Sequence, residues 1–253
     1  MTTSWDDGDP QDLRVAELLD SRGLKGTFYV PIIGYDGRRI LEPAELRSLA
    51  SGGFEIGAHG VSHNVLTGLN TKELAREVRV CKSRLEEVLS KPVQMFCYPK
   101  GKYDARVVQQ VKLAGYKGAR TARMLSQKLA FSPYQMPTSL LAQRDLKKRY
   151  VKNLTRAMNI RGLYAYATQY ISLNNWVEIG KALFGRVLRE GGVWHLYGHS
   201  WAIEELGMWG DVAHMLDYVC QKEGVLYIAN VDVLKFCNQQ EGVVKPMING
   251  LGL

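Results

Sequence analysis

Several familiar devices are missing from this chain, and each absence excludes something. No stretch approaches 18 consecutive apolar residues, so an ordinary membrane-spanning helix is excluded. No basic segment followed by an apolar one opens the sequence. Met1 runs through Thr2, Thr3 and Ser4 to Trp5, Asp6 and Asp7, so no leader is expected and a cytoplasmic location is. The four cysteines, Cys81, Cys97, Cys220 and Cys237, form no CxxC pair, which removes support for a thiolate zinc knuckle or a thioredoxin motif. No GxGxxG follows the first strand signal, which argues against a dinucleotide-binding sheet. Proline and glycine are too sparse for collagen-like order, and 46% apolar residues are too many for wholesale disorder.

What is present is a chain of 253 residues with enough apolar surface for a large core. Apolar runs alternate with amphipathic stretches. Helices are expected over residues 10–21, from Pro43 to about residue 52, from Thr71 to Leu89, and over 104–114, 176–190 and 211–222. Strands are expected over 26–31, 54–58, 93–98, 116–119, 193–198 and 225–229, with a further one over 136–140. Strand and helix thus alternate about seven times, the pattern of parallel strands with crossover helices. No repeat or linker interrupts it, so a single domain over residues 1–253 is expected.

The net charge of +8 is unevenly spread. From Arg144 to Arg161 lie seven cations, Arg144, Lys147, Lys148, Arg149, Lys152, Arg156 and Arg161, against Asp145 alone. Such a stretch is either a solvated helical face or a surface for anionic lipid, nucleic acid or a phosphorylated substrate. No nucleic-acid module accompanies it, so no nucleic-acid partner is expected.

Polar residues gather where apolar strands end. The first group is Ser4-Trp5-Asp6-Asp7-Gly8, the second His59-Gly60-Val61-Ser62-His63, and the third Trp194-His195-Leu196-Tyr197-Gly198-His199. Two acids beside a glycine are commonly a solvated turn, and an isolated HxxxH arises by chance. Two histidines four apart can share one face of a helical turn. Jointly the groups supply one carboxylate and two histidines for a metal, a spare acid and a spare histidine. That inventory suits metal-assisted hydrolysis, in which a carboxylate removes a proton from water and a histidine protonates the leaving group.

In these residues, and over some 195 positions, the chain resembles the polysaccharide deacetylase family, the NodB-homology or carbohydrate esterase 4 family. The resemblance implies a distorted (β/α)7 barrel and a Zn2+-dependent, or other divalent-metal-dependent, removal of N-acetyl or another N-acyl group from an amino sugar or polysaccharide precursor. It implies Asp6 as general base, Asp7, His59 and His63 as metal ligands, and His199, in Leu196-x-x-His199, as general acid. The substrate implied is acylated and amino-sugar-containing, and the basic stretch suggests that it is phosphorylated or lipid-linked, handled in the cytoplasm or at the inner membrane surface. The alternatives are a deacetylase-like domain without activity and an esterase or amidase for a non-sugar substrate.

The chain also departs from the family. Where Arg-x-Pro-aromatic-Gly is usual, it reads Cys97-Tyr98-Pro99-Lys100-Gly101, and a thiol does not replace a guanidinium fork. Arg120 and Arg123 are candidates to supply the missing charge. The carboxylate partner of His199 is unassigned, with Asp232, Glu204 and Glu205 as candidates. His195 either lines the pocket or is a satisfied core residue. Trp201 either stacks on a sugar or caps the barrel. Trp209 and His214 are expected to be structural or superficial, and Cys97 and the tyrosines Tyr164, Tyr166 and Tyr170 to pack.

Overall fold

Seven strands and ten helices alternate along the part of the chain that the computed structural model describes, residues 1–144, 146–156 and 159–244; the side chains of 145–149, 156–158 and 238–253 are outside that description. The strands are β1 (Thr2–Asp6), β2 (Thr27–Val30), β3 (Glu55–Ala58), β4 (Met95–Cys97), β5 (Gly118–Arg120), β6 (Leu140–Leu141) and β7 (His195–Gly198). The helices are α1 (Asp12–Asp20), α2 (Pro43–Ser51), α3 (Thr71–Leu89), α4 (Ala105–Leu113), α5 (Leu146–Arg156), α6 (Ile160–Ala165), α7 (Trp176–Glu190), α8 (Ser200–Glu205), α9 (Trp209–Val219) and α10 (Asn230–Val244). Local chemistry sets the boundaries. Pro43 opens α2, Asn70 and Glu73 form a reciprocal cap on α3, and Asp104 and Asn175 cap α4 and α7.

Every pairing between strands is parallel, in the order β5-β4-β3-β2-β1-β7-β6. The sheet curls until its edges meet. Met136, just ahead of β6, bridges Arg120 in β5; its N–H donates to the Ala119 carbonyl (2.9 Å) and its carbonyl accepts from Thr121 N–H (2.8 Å). The result is the curled, distorted (β/α)7 barrel that the sequence pattern implied.

Side chains alternate across this sheet with the period of two that a strand imposes. Trp5, Phe28, Val30 and Phe96 pack outward into the main core under the helices, while Tyr29, Met95, Cys97 and Met136 pack inward. Val231, Val233 and Leu234 of α10 join the inner group and plug one end of the barrel. A polar belt seals the plug: Thr2 Oγ1 donates to Asn230 Oδ1 (2.8 Å), Asn230 Nδ2 to the Tyr29 hydroxyl (2.9 Å), and Val231 N–H to Glu55 Oε2 (3.1 Å). The open end of the lumen lies at the strand C-termini, where Asp6, His59, Arg120 and His199 stand.

Most expected elements form. The exception is residues 225–229, which make no strand. That segment meets the chain start through two hydrogen bonds, Met1 N to the Leu226 carbonyl (2.6 Å) and Ile228 N–H to the Met1 carbonyl (3.1 Å), and then enters α10. Its apolar residues serve the approach to the plug rather than a sheet edge. β1 itself, α6, α8 and α10 carried no sequence expectation, and α5 only the helical-face alternative for the basic stretch.

Glu55 illustrates the cost of the belt. Burial pushes its carboxyl up to about 7, despite hydrogen bonds from Thr27 and Val231, and its Oε1 is buried without a partner. A carboxyl raised in the folded state binds its proton more tightly there than in the unfolded chain. Its contribution to stability is therefore present at low pH and falls as pH rises through the ordinary carboxylate range to about 7. Thermal unfolding of the parent and of Glu55→Gln between pH 5 and pH 8 should show a shallower loss of Tm in the variant. Parallel curves would exclude Glu55 as the source.

Candidate active site

The site starts from two neighbouring acids that must not share one direction. Asp6 ends β1 with its carboxylate toward the lumen. Asp7 has φ 83°, a left-handed conformation, and Gly8 follows at φ 61°. A side chain on Gly8 would place Cβ 2.8 Å from Val30 Cγ1, so glycine is required there by both conformation and space. The turn sends the two carboxylates to separate partners.

Asp7 faces two imidazoles. Its Oδ1 lies 3.5 Å from His59 Nε2 and 3.3 Å from His63 Nε2. The ligating atoms of the three buried residues all lie within 4.8 Å of one another. Asp7 Oδ1 is itself buried with no hydrogen-bond partner. His59 Nδ1 donates to the Cys97 carbonyl (2.8 Å), which fixes the ring with Nε2 toward Asp7. Burial, and then His59 beside it, lower His63 to about 4, so its imidazole is neutral at pH 7. An orphaned carboxylate oxygen between two imidazole nitrogens is a donor set that fits zinc or another divalent transition metal. Asp7 is held well below the usual carboxylate range; burial opposes this, and His199, His59 and Tyr35 outweigh it.

The expected helical turn from His59 to His63 does not form. His59 follows β3 in extended chain, Gly60 turns at φ 81°, and His63 stands at φ 53°. Glu77 of α3 explains the shape. Its Oε2 accepts from Val61 N–H (2.8 Å) and Ser62 N–H (3.1 Å), and its Oε1 from Ser62 Oγ (2.6 Å). These bonds satisfy two amides that, in the first turn of a helix, would have no intrahelical carbonyl to donate to. The two histidines still converge, with ring centroids 4.9 Å apart.

His199, directly after β7, lies opposite. Its Nε2 is 3.8 Å from Asp7 Oδ2 and 4.0 Å from Asp6 Oδ2, and its side chain is about one quarter exposed. None of the expected acids pairs with it. Glu204 pairs with Arg14, Glu205 with Arg38 and Asp232 with Lys235. Trp201 binds the site rather than merely capping the barrel, since its Nε1 donates to Asp7 Oδ2 (2.8 Å). Arg38 lies 3.9 Å over the Trp201 ring, and Tyr35 stacks on His63 with centroids 3.9 Å apart. Tyr35, Arg38 and Glu77 were not expected from the sequence. Glu77 alone left a signal there, an acid on the apolar face of α3 between Leu74 and Val78, and it is buried.

Of the two arginine candidates, Arg120 meets Asp6. Its Nη2 bonds Asp6 Oδ1, and both side chains are nearly fully buried. The guanidinium also lies 4.8 Å from the Tyr197 ring centroid and 5.3 Å from that of Tyr29. Arg123 is exposed. Arg120 is the parallel register partner of Cys97, one strand across. The charge absent from β4 is thus supplied from β5 into the same space. Cys97 keeps a packing role in the inner core, with its Sγ 3.9 Å from Asp6 Oδ2 and its thiol pushed up by burial.

The remaining candidates separate cleanly. His195 is a core residue: Nε2 is 2.8 Å from Ser4 Oγ, Nδ1 is 3.1 Å from the Pro137 carbonyl, and burial followed by Arg120 lowers it to about 3. Trp209 donates to Glu204, and His214 contacts Lys181 at the surface. Tyr166 and Tyr170 are buried, but Tyr164 is 71% exposed and does not pack as expected.

A family model described as "Polysaccharide deacetylase" matches residues 1–119, a span holding Asp6, Asp7, His59 and His63 and ending just before Arg120. No curated protein matches the chain. Among solved structures, the chain is similar to a Mycobacterium smegmatis protein that carries a polysaccharide deacetylase assignment, with TM-score 0.68 and 17% identity over 95% of this chain and 91% of that one. It is similar to the Streptococcus pyogenes deacetylase PplD in complex with acetate, with TM-score 0.50 and 19% identity over 54% of this chain; the match spans 62% of that chain. It is also similar to a pseudoenzyme of the CE4 family from Bacillus anthracis, with TM-score 0.52 and 12% identity over 87% and 62% of the two chains. The family match and the shared fold bear out the resemblance to polysaccharide deacetylases drawn from the motifs.

The Arg120–Asp6 pair yields a stability test. Removing one partner of a buried ion pair typically costs about 3–5 kcal/mol, because the other charge stays buried alone. Arg120→Cys should lose stability on that scale in denaturant unfolding. Because residues 97 and 120 are in register, Cys97→Arg combined with Arg120→Cys should regain a large part of it. A double variant no more stable than Arg120→Cys would show that the two positions are not interchangeable.

Proposed function

We propose that this chain is a metal-dependent deacetylase that hydrolyses the N-acetyl, or another N-acyl, group of an amino sugar in a polysaccharide or its precursor. The observation that carries the reading is the buried, unpartnered Asp7 Oδ1 between His59 and His63, with Asp6 and His199 beside it. Asp7, His59 and His63 would hold the metal, which when bound supplies Lewis-acid polarisation of the amide carbonyl and acidifies water.

The chain's own residues supply the proton transfers. Asp6, oriented by Arg120, accepts a proton from the attacking water as its oxygen bonds to the acyl carbon. His199, at the exposed rim, gives a proton to the amide nitrogen as the C–N bond breaks, releasing a carboxylic acid and a free amine. Trp201 and Glu77 serve positioning, the first by fixing Asp7 Oδ2 and the second by fixing the loop that carries His63. The N–H of Lys100, which stands at φ 55° in the turn after Pro99, is the candidate to stabilise the developing oxyanion.

The second reading, a deacetylase-like domain without activity, draws on the Cys97 departure and on the likeness to a CE4 pseudoenzyme. The Arg120–Asp6 contact weighs against it, because the charge beside the base is retained.

Metal analysis and turnover separate the roles. The purified protein should carry about one transition-metal ion per chain, and His59→Ala or His63→Ala should remove most of it. Asp6→Asn should retain the metal and lose hydrolysis of acetylated amino-sugar oligomers. His199→Ala should retain the metal and turn over about 10²–10⁴-fold more slowly. Unchanged metal content in both histidine variants would overturn the ligand assignment. Full metal without hydrolysis in the parent chain would favour the inactive reading.

A further inference from the structure

The segment between β6 and α7 carries two features that an ordinary solvated face does not combine. From residue 146 to residue 177 there is no acid, while Lys147, Lys148, Arg149, Lys152, Arg156 and Arg161 supply six cations. The side chains of Lys147, Lys148, Arg149 and Arg156 lie outside the described residues, but Lys152 and Arg161 are exposed. Beside them stand the two most exposed large hydrophobic side chains among the described residues, Ile160 at 78% and Tyr164 at 71%, with Val151 and Ile171 each about half exposed.

The spacing shows that this exposure is organised. Gly162, Tyr166 and Tyr170, four apart, are buried, and the Tyr166 ring stacks on Tyr150 of α5 at 5.5 Å. The opposite side of α6 holds Ile160 and Tyr164, four residues apart, a spacing that keeps them on one outward stripe, and Ile171 follows the π-helical turn Tyr166–Tyr170. A helix bounded by solvent would place polar residues there. Apolar side chains interleaved with Lys and Arg, in a segment that carries no acid of its own, match a surface that is both greasy and negatively charged. Soluble polyanions complement only the charge, and a protein groove would not require so uniform a sign.

We propose that this face, centred on Ile160, Arg161 and Tyr164 and flanked by Lys152, docks on a bilayer of anionic lipids. Ile160 and Tyr164 enter the headgroup boundary, with the tyrosine hydroxyl at its polar edge, and the cations meet lipid phosphates. The reading is independent of the deacetylase assignment.

The test is co-sedimentation of the full chain with vesicles of phosphatidylcholine alone and of phosphatidylcholine mixed with phosphatidylglycerol. Retention is expected on the mixed vesicles, weakening with salt, and little on the neutral ones. The double variant Ile160→Ser/Tyr164→Ser should bind the mixed vesicles about tenfold more weakly or worse. Lys152→Ala and Arg161→Ala should each lose about fivefold. All four positions are exposed, so circular dichroism and Tm should match the parent, and Leu226→Ser, an exposed apolar residue elsewhere, should bind as the parent does. Three outcomes overturn the proposal: no retention on anionic vesicles, retention that the Ile160/Tyr164 variant leaves unchanged, or tighter retention on single-stranded RNA that the same variant leaves unchanged.

Discussion

Two adjacent carboxylates in a buried site repel one another and resist burial, and most of the open end of this barrel resolves that constraint. Each acid has its own cationic or hydrogen-bonding company. Asp6 has the Arg120 guanidinium, while Asp7 has two imidazoles, the Trp201 indole and His199. The left-handed Asp7 keeps these companies apart, and Gly8 makes that turn sterically possible. Breaking the Arg120 contact would leave Asp6 with only His199 at 4.0 Å and the Cys97 thiol at 3.9 Å, since neither Tyr29 nor Tyr197 supplies a charge.

The fold was legible because its signals are periodic. Short apolar strands alternated with amphipathic helices, and the helix from Thr71 to Leu89 forms between the residues expected. The candidate site was legible because Asp6, Asp7, His59 and His199 lie at strand ends, which can be counted along a chain. What escaped was of two kinds. β1 is Thr-Thr-Ser-Trp-Asp, whose inward face is polar throughout, so no apolar alternation marks it. Residues 225–229 looked like a strand because the apolar content needed to approach the plug resembles that of a sheet edge. Tyr35 and Arg38 come from the loop between β2 and α2, and contacts made across such a loop leave no period in the sequence.

Arg120 shows how a motif can move while its physics stays. A family signature records which strand carries a charge, but the Asp6 carboxylate responds only to where the charge stands. Residues 97 and 120 are neighbours across a parallel ladder and face the same lumen. A small thiol at the first leaves space for a guanidinium from the second. The exchange also lengthens the reach across the curled sheet, because Arg120 sits at the edge where Met136 bridges back toward β6. The residue that pairs with Asp6 therefore also stands at the seam of the barrel, and packing there is tied to charge placement in the site.

The basic stretch poses the converse problem. In sequence it is only a sum of charges, and a sum does not distinguish a solvated face from a binding one. The fold adds the missing variable by fixing which apolar residues share that face. Tyr150, Leu154, Tyr166 and Tyr170 turn inward and account for the burial that α5 and α6 need to stay attached. Ile160 and Tyr164 are then surplus to folding: they bury little, they hold nothing in place, and their exposure costs hydration free energy that polar residues would avoid. Charge alone would leave that surplus unexplained, and apolar exposure alone would leave the missing acids unexplained. A negatively charged interface with an apolar interior accounts for both with one partner.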